Sequence, residues 1–222
     1  MSDPITASEF HATEGLEDWR VLSEGASAFY RTRSFAESAR FVHAIGETPE
    51  AGDHPPAVDV RDGGVTVRLI STGADYFGMT RSDVAVARRV SAVAAEQGLS
   101  ADPSAVQSVL IIPGAPDVAA ILPFWQAVLG YQPRPDSPDE DLVDPQDRWP
   151  AFWLERMREP RGDGLGAIHV AVWVPIEEAE ARVKAALDAG GRIVREDFAP
   201  TWWTLADAAG NEADVATVAN RD

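Results

Sequence analysis

Gly166-Ala-Ile-His169-Val-Ala-Val-Trp-Val-Pro175 and Asp207-Ala-Ala-Gly210-Asn211-Glu-Ala-Asp214-Val215 mark the ends of the stretch 166–217, which decides the fold of this chain. Their apolar runs set a histidine and an acid at the edges of two strands that flank a helix, a spacing suited to a ligand. A looser copy of the pattern lies earlier: a strand in Val109–Ile112, a helix over Asp117–Gly130 closed by its glycine, and a strand in Phe152–Met157. A repeated unit that cannot close its sheet alone implies two modules curving around one cleft. This half therefore predicts a small-molecule site. Gly162, Asp163, Gly164 and Gly166 read as a flexible link between the modules.

The chain has 222 residues and no cysteine, which excludes disulfides, thiolate metal ligation and a cysteine nucleophile together. Any metal must sit on His, Asp, Glu or Gln. A formal charge of −17 repels phosphate backbones and anionic lipid. The basic clusters Arg31/Arg33, Arg81 and Arg88/Arg89 are too sparse to counter that field, so nucleic acid and membrane surfaces are not expected partners. The start Met-Ser-Asp-Pro-Ile-Thr lacks a basic segment followed by an apolar one, and no run approaches the roughly 18 apolar residues of a membrane span. A cytoplasmic, soluble protein is the expectation.

Gly98-Leu-Ser-Ala-Asp-Pro-Ser104 ends a helical pattern and predicts a link between a domain at 1–100 and another at 104–222. Before it, helix Ser8–Thr13 precedes strands Arg20–Glu24 and Ala28–Arg33, which meet at a Gly25 turn. Phe35, Ala39, Val42 and Ile45 then form a stripe of helical period over Phe35–Gly46. Val58–Val60 and Val65–Ser71 alternate about Asp62-Gly63-Gly64, a hairpin signal. Thr80-Arg-Ser-Asp83 is a capping box shortened from Glu, and Val86, Val90, Val93 and Ala94 give the last helix its buried face. The class is α+β: an α-β-β-α-β-β-α domain, three helices on a four-stranded antiparallel sheet, followed by the two repeated strand-and-helix modules.

In element order and in local strings, residues 8–97 resemble the pterin-4a-carbinolamine (4a-hydroxytetrahydrobiopterin) dehydratases. The strings are Asp18-Trp19-Arg-Val-Leu, Phe35-x-x-x-Ala39-x-Phe-Val42, Glu50-x-x-x-His54-x-Pro56, Val65-x-Val-x-Leu69 and Thr80-x-x-Asp83. That family's signature is Glu-x-x-x-His-His-Pro, a Val nine residues on that opens a strand, and a Thr-His pair at the strand's end. Here it reads Glu50-Ala-Gly-Asp53-His54-Pro55-Pro56, and Thr72 stands at the third histidine position. Two of the three imidazoles are replaced. Dehydration of a carbinolamine needs one proton taken from a ring nitrogen and another delivered to the departing hydroxyl, work suited to a group titrating near neutrality. The resemblance implies lyase chemistry with His54, Glu50 and Asp53 as acid/base candidates and Thr72 at the pterin. The substitutions point to a weakened catalyst, or to a fold kept as a scaffold for binding or oligomerisation. His54 reads equally as a turn residue capping a strand, and His11 and His43 read as ordinary helix residues.

Residues 104–218 resemble the glyoxalase, bleomycin-resistance and extradiol-dioxygenase group, the vicinal oxygen chelate superfamily. The strings are Phe124-Trp125-x-x-Val-Leu129-Gly130-Tyr131, Phe152-Trp-Leu-Glu155, Ile168-His169-Val, Ala189-Gly190-Gly191 and Asp207-x-x-Gly210-Asn211. The resemblance implies paired βαβββ modules, and metal ligands at Gln107, Glu155, His169 and Asp214, a set able to hold a divalent cation that polarises a substrate's two neighbouring oxygens. Gln107 stands where His is common, and Asp214 where a longer Glu is usual. A metal-free pocket in which His169 and Asp214 only hydrogen-bond is the other reading. A divalent metal in this domain is the one cofactor that the resemblance suggests, and the residues by themselves fix none.

Six of the seven tryptophans, Trp125, Trp149, Trp153, Trp173, Trp202 and Trp203, fall in the second half. They are enough to wall a cleft for a flat ligand, although Trp125 and Trp173 read better as core. Trp202 and Trp203 must face opposite sides of their strand, so one belongs to the pocket; Trp153 is a further candidate. The acidic, proline-rich run Pro133–Pro145 predicts a solvated loop, a candidate lid over the pocket. There is neither a phosphate loop nor a Gly-x-Ser-x-Gly elbow. Two functions follow: a hydro-lyase with an accessory glyoxalase-like unit, or a resistance-type binding protein whose aromatic cleft takes a small molecule. The ligand is a pterin or an aromatic metabolite, and exposed edge strands predict a homo-oligomer.

Overall fold

In the computed structural model, which describes residues 3–23, 25–157, 168–206 and 212–220, the chain forms two units, 1–106 with 220–222 and 107–219. The expected link at Gly162, Asp163, Gly164 and Gly166, together with Asp207, Gly210 and Asn211, lies outside the described residues.

In the first unit, Thr6 and Glu9 cap one another's backbone N–H at the start of α1 (Ala7–His11), which begins earlier and ends sooner than the apolar pattern implied. Strands β1 (Arg20–Leu22) and β2 (Gly25–Arg31) pair from Leu22 opposite Gly25 outward, so Gly25 opens a strand rather than forming the turn. A Cβ there would lie 2.8 Å from the Leu69 carbonyl oxygen, and only glycine permits that approach. Helix α2 (Phe35–Gly46) buries Ser38, Phe41 and Ile45. Of the predicted stripe, Ile45 is buried and Val42 half-buried, whereas Phe35 is 73% exposed and Ala39 is exposed. Ser38, a polar residue that a hydrophobic count passes over, is buried because its hydroxyl meets that of Thr32 at 2.7 Å.

Thr48 and Pro49 start a short helix that periodicity did not predict, α3 (Pro49–Asp53); Pro at the first helical position loses no bond. Hairpin β3 (Ala57–Arg61) and β4 (Gly64–Leu69) turns at Asp62-Gly63, where Gly63 takes φ 86°. The strand expected to run through Ser71 instead divides, and β5 (Ser71–Gly73) pairs with β6 (Tyr76–Gly78) in a hairpin of its own. Helix α4 (Arg81–Glu96) buries Val86, Val90, Val93 and Ala94, as its periodicity predicts. The antiparallel order is β1-β2-β4-β3. A two-residue strand β7 (Ser100–Ala101) inside the predicted link adds to β2, and Asp102 forms an ion pair with Arg31.

The second unit repeats one βαβββ pattern. The first module is β8 (Ser108–Ala115), α5 (Val118–Leu129), β9 (Gln132–Arg134), β10 (Ser137–Val143), β11 (Ala151–Trp153) and the short β12 (Glu155–Arg156). The second is β13 (Ile168–Trp173), α6 (Ile176–Asp188), β14 (Arg192–Arg195), β15 (Trp202–Ala206) and β16 (Glu212–Ala216). Their strands form one sheet, β14-β15-β16-β13-β8-β11-β10-β9, joined by antiparallel pairing of β13 with β8. The run Pro133–Pro145 is not a loop, since most of it is β9 and β10 with Asp141, Leu142, Val143 and Asp144 buried. Pro133 is tolerated because β9 is the sheet's edge, where a missing N–H breaks no central ladder.

Both helices lie on one face of this sheet. Ile111, Leu142, Phe152 and Leu154 pack with α5 residues Val118 and Leu122, while Trp203, Leu205 and Val215 pack with Ala179 and Val183 of α6. Alternation then directs Trp153, His169, Ala171, Trp173 and Asp214 to the helix-free face. Among the described residues, no helix is long and apolar enough to cross a membrane.

Candidate functional site

His54 follows the last residue of α3 and still donates its backbone N–H to the Glu50 carbonyl at 3.0 Å. Its Nε2 lies 2.7 Å from Asp83 Oδ1, and the Asp83 side chain is fully buried. The other oxygen, Oδ2, accepts from the Ser71 hydroxyl at 2.7 Å, the Thr80 N–H at 2.7 Å and the Thr80 hydroxyl at 3.1 Å. An ionised carboxylate can only accept, so against such a partner Nε2 is the donor, and in that tautomer a neutral ring keeps its lone pair at Nδ1. The Ser71 hydroxyl stands 3.4 Å from the same Nε2. It supports the acid rather than forming a nucleophile with the histidine.

Four segments build this group: the end of α3, the first residue of β5, the residue before α4 and the first turn of α4. Asp83 serves both as the cap of α4 and as the partner of His54, and the sequence pattern revealed only the first role. The signal was present in Thr80-x-x-Asp83, where a shortened capping acid stays closer to the backbone and is easily buried. Ser71 was missed because the motif count pointed to Thr72. Successive strand residues face opposite ways, so Thr72 is exposed and its neighbour Ser71 enters the network. Asp53 is also exposed and takes no part in it. Glu50 is half-buried one turn before His54, and its Oε2 is buried without a hydrogen-bond partner among the described residues.

Among the described residues of the first unit, no second histidine joins His54. His11 accepts the Val21 N–H at 3.2 Å, His43 is exposed on α2, and His169 belongs to the second unit.

On the helix-free face of the second unit, His169 Nε2 lies 3.3 Å from Asp214 Oδ2. That contact is the main reason the His169 pKa is raised; burial opposes it, and the Glu155 and Glu212 charges add to it. Asp214 Oδ1 is buried without a hydrogen-bond partner among the described residues. Glu155 follows the same alternation but is exposed. Gln107 does not belong with them, because its side-chain oxygen accepts from Arg182 of α6 at 3.2 Å, on the helix side. The sequence count placed Gln107 at the edge of β8 without its facing, and Ser108 is the neighbour that pairs with Trp173 on the helix-free side.

These residues do not fit a divalent metal. Among the described residues, no group of three or more His, Asp or Glu side chains is arranged to hold one. The predicted quartet of Gln107, Glu155, His169 and Asp214 is therefore split, and no chemistry is routed through a metal here.

The tryptophans divide as alternation requires. Trp203 joins the core beneath α6, and Trp202 stacks on Phe198 at 4.2 Å. Trp153 and Trp173 meet edge to face at 6.3 Å, and the Arg134 guanidinium lies 5.1 Å from the Trp153 ring centroid. Arg134 also pairs with Asp136 at 2.7 Å and Asp141 at 3.4 Å. Burial raises the Asp141 pKa, with Arg134 acting against it. Trp125 packs on Phe152, and Trp149 is 63% exposed, outside any cleft wall. The polar group beside Trp153 was missed because Pro133–Pro145 read as a loop.

Residues 3–93 match the family profile of pterin 4 alpha carbinolamine dehydratase, and residues 109–216 match that of a glyoxalase-like domain. A curated relative from Koribacter versatilis (strain Ellin345), provisionally named a pterin-4-alpha-carbinolamine dehydratase, is 28% identical over 94 residues, 42% of this chain and 98% of the relative. Among solved structures, a glyoxalase/bleomycin resistance protein/dioxygenase superfamily member from Vibrio splendidus 12B01 aligns with 50% of this chain and 99% of its own, at 19% identity and a TM-score of 0.32. One titled NAD-dependent benzaldehyde dehydrogenase from Legionella pneumophila aligns with 49% of this chain and 97% of its own, at 14% identity and a TM-score of 0.36.

Proposed function

We propose that this chain, which joins a pterin-4a-carbinolamine dehydratase domain to a glyoxalase-like domain, is a hydro-lyase that dehydrates a pterin carbinolamine with His54 as its one acid/base group. The observation that carries this reading is the 2.7 Å contact between His54 and the buried Asp83. A carboxylate fixed by three further bonds holds the imidazole in one orientation and one tautomer, which a passive turn residue does not need. The lone pair at Nδ1 takes the proton from the ring N–H as the nitrogen lone pair forms the C=N bond and the C–O bond breaks. The same ring then protonates the departing hydroxyl, which leaves as water. One imidazole thus closes the proton balance alone. Glu50, with its unpartnered buried oxygen, would accept an N–H of the ligand, while Thr72 and Asp53 have no assigned part.

General acid/base catalysis is worth about 10²–10⁴-fold. Formation of quinonoid dihydropterin by the full chain, compared with His54→Ala, tests the proposal: the variant should lose the measurable rate. A parent protein with no rate above the uncatalysed reaction would remove the lyase assignment.

A second reading rests on Trp153, Trp173 and Trp202 beside the acidic group around His169. In that case the second unit binds an aromatic metabolite without chemistry, and the first is an oligomerisation scaffold in a cytoplasmic protein. The edge strands β3 and β14 would receive a second copy. Sedimentation equilibrium reads the subunit number, and a monomer would remove the scaffold role.

A further inference from the structure

We propose that the helix side of the second unit carries a separate binding site for an apolar monocarboxylate, anchored by Arg182. A cavity of about 830 Å³ lies there, lined by Val170, Val172, Ala186, Leu205, Val215 and Arg182. Its size suits a small organic molecule, and its walls are mostly aliphatic. His169 and Val170 are neighbours on β13 and point to opposite faces, so the sheet itself separates this cavity from the helix-free side.

Three observations define the ligand. First, α6 stops covering the sheet where its residues become small: Ala186 and Ala189 are followed by Gly190 and Gly191, which also line the cavity. A Cβ on Gly191 would lie 2.8 Å from the Ala186 carbonyl oxygen, so this wall is bare backbone. Val170 consequently remains 38% exposed on a face where its counterparts are core.

Second, Arg182 is the cation of the lining, and its hydrogen-bond partner is an uncharged amide, Gln107 Oε1 at 3.2 Å. Among the described residues, no carboxylate lies within ion-pair range of it. That is notable in a chain with 36 acidic and 19 basic residues, where acids are the commoner neighbour. The Gln107 bond holds the guanidinium in place while leaving its charge without a carboxylate partner among the described residues and its remaining donors open to a ligand from solvent. A carboxylate is the planar anion that such a fork accepts in pairs.

Third, the remaining charges of the lining sit elsewhere. By the alternation of β16, Glu212 and Asp214 project with His169 to the helix-free side, where Asp214 pairs with His169. A ligand is therefore oriented, with its carboxylate at Arg182 and its apolar body running toward Ala189 and Gly191.

The test is a fluorescence titration of the full chain with 11-(dansylamino)undecanoic acid and, separately, its methyl ester. Saturable binding of one acid per chain is expected. Arg182→Met keeps the aliphatic stem at an exposed position and should weaken the acid about tenfold while leaving the ester within twofold. Ala186→Trp should fill the cavity and abolish both, with a thermal melt confirming the fold, and Trp202→Ala on the opposite face should leave the acid's affinity unchanged. The proposal is overturned if the parent shows no saturable binding, if Arg182→Met does not distinguish acid from ester, or if Trp202→Ala removes binding.

Discussion

Replacing Asp83 by Ala probes the group on which the catalytic proposal depends, and the structure sets the size of the effect. The change strips an acceptor from four donors: the Thr80 N–H, the Thr80 and Ser71 hydroxyls, and His54 Nε2. The two hydroxyls already stand 2.9 Å apart and can satisfy one another. The His54 side chain is 24% exposed, so water can replace part of its lost bond. That leaves the buried Thr80 N–H, whose lost bond costs about 1–3 kcal/mol, plus a discounted fraction of the roughly 1.5–3 kcal/mol of a charge-assisted bond. The expected total is about 2–4 kcal/mol, a large share of the roughly 5–15 kcal/mol of a typical domain. Hydrogen exchange of the peptide spanning residues 80–96 reads this loss locally, without interference from unfolding of the second unit. Crossing Asp83→Ala with His54→Ala in a double-mutant cycle should give a coupling of about 0.5–2 kcal/mol. A destabilisation under about 0.5 kcal/mol, or additive single changes, would refute the paired arrangement.

Two further expectations concern the rest of the molecule. The His169 pKa is raised, mainly by Asp214, so the folded state binds that proton more tightly than the unfolded one. The contribution is full below the ordinary histidine value near 6.5 and is lost as pH rises through the higher folded value. Melting temperatures across that window should fall more steeply for the parent than for His169→Gln, and parallel curves would contradict the pairing. Gly64→Ala would set a Cβ 2.3 Å from the Phe29 ring and 2.7 Å from the Tyr30 carbonyl oxygen. A loss of about 1–3 kcal/mol in urea unfolding is expected, and a neutral result would show that Phe29 yields freely.

What the linear pattern determined were the features that depend on near neighbours. The α+β class, the hairpin at Gly63, the buried face of α4 and the tandem repeat of strand and helix in the second half all follow from periodicities of 2 and 3.6 and from turn chemistry. Neighbouring residues also revealed that Pro55 and Thr72 leave His54 without a second imidazole. Facing and burial were decided only in three dimensions, because each depends on a partner distant in sequence. Asp83 meets His54 across 29 residues, Ser71 rather than Thr72 turns inward, and Arg182 draws Gln107 to the helix side across 75 residues, dividing the expected metal set. A one-residue error reverses the face of a strand residue, and no local pattern excludes it until the sheet has packed against its helices.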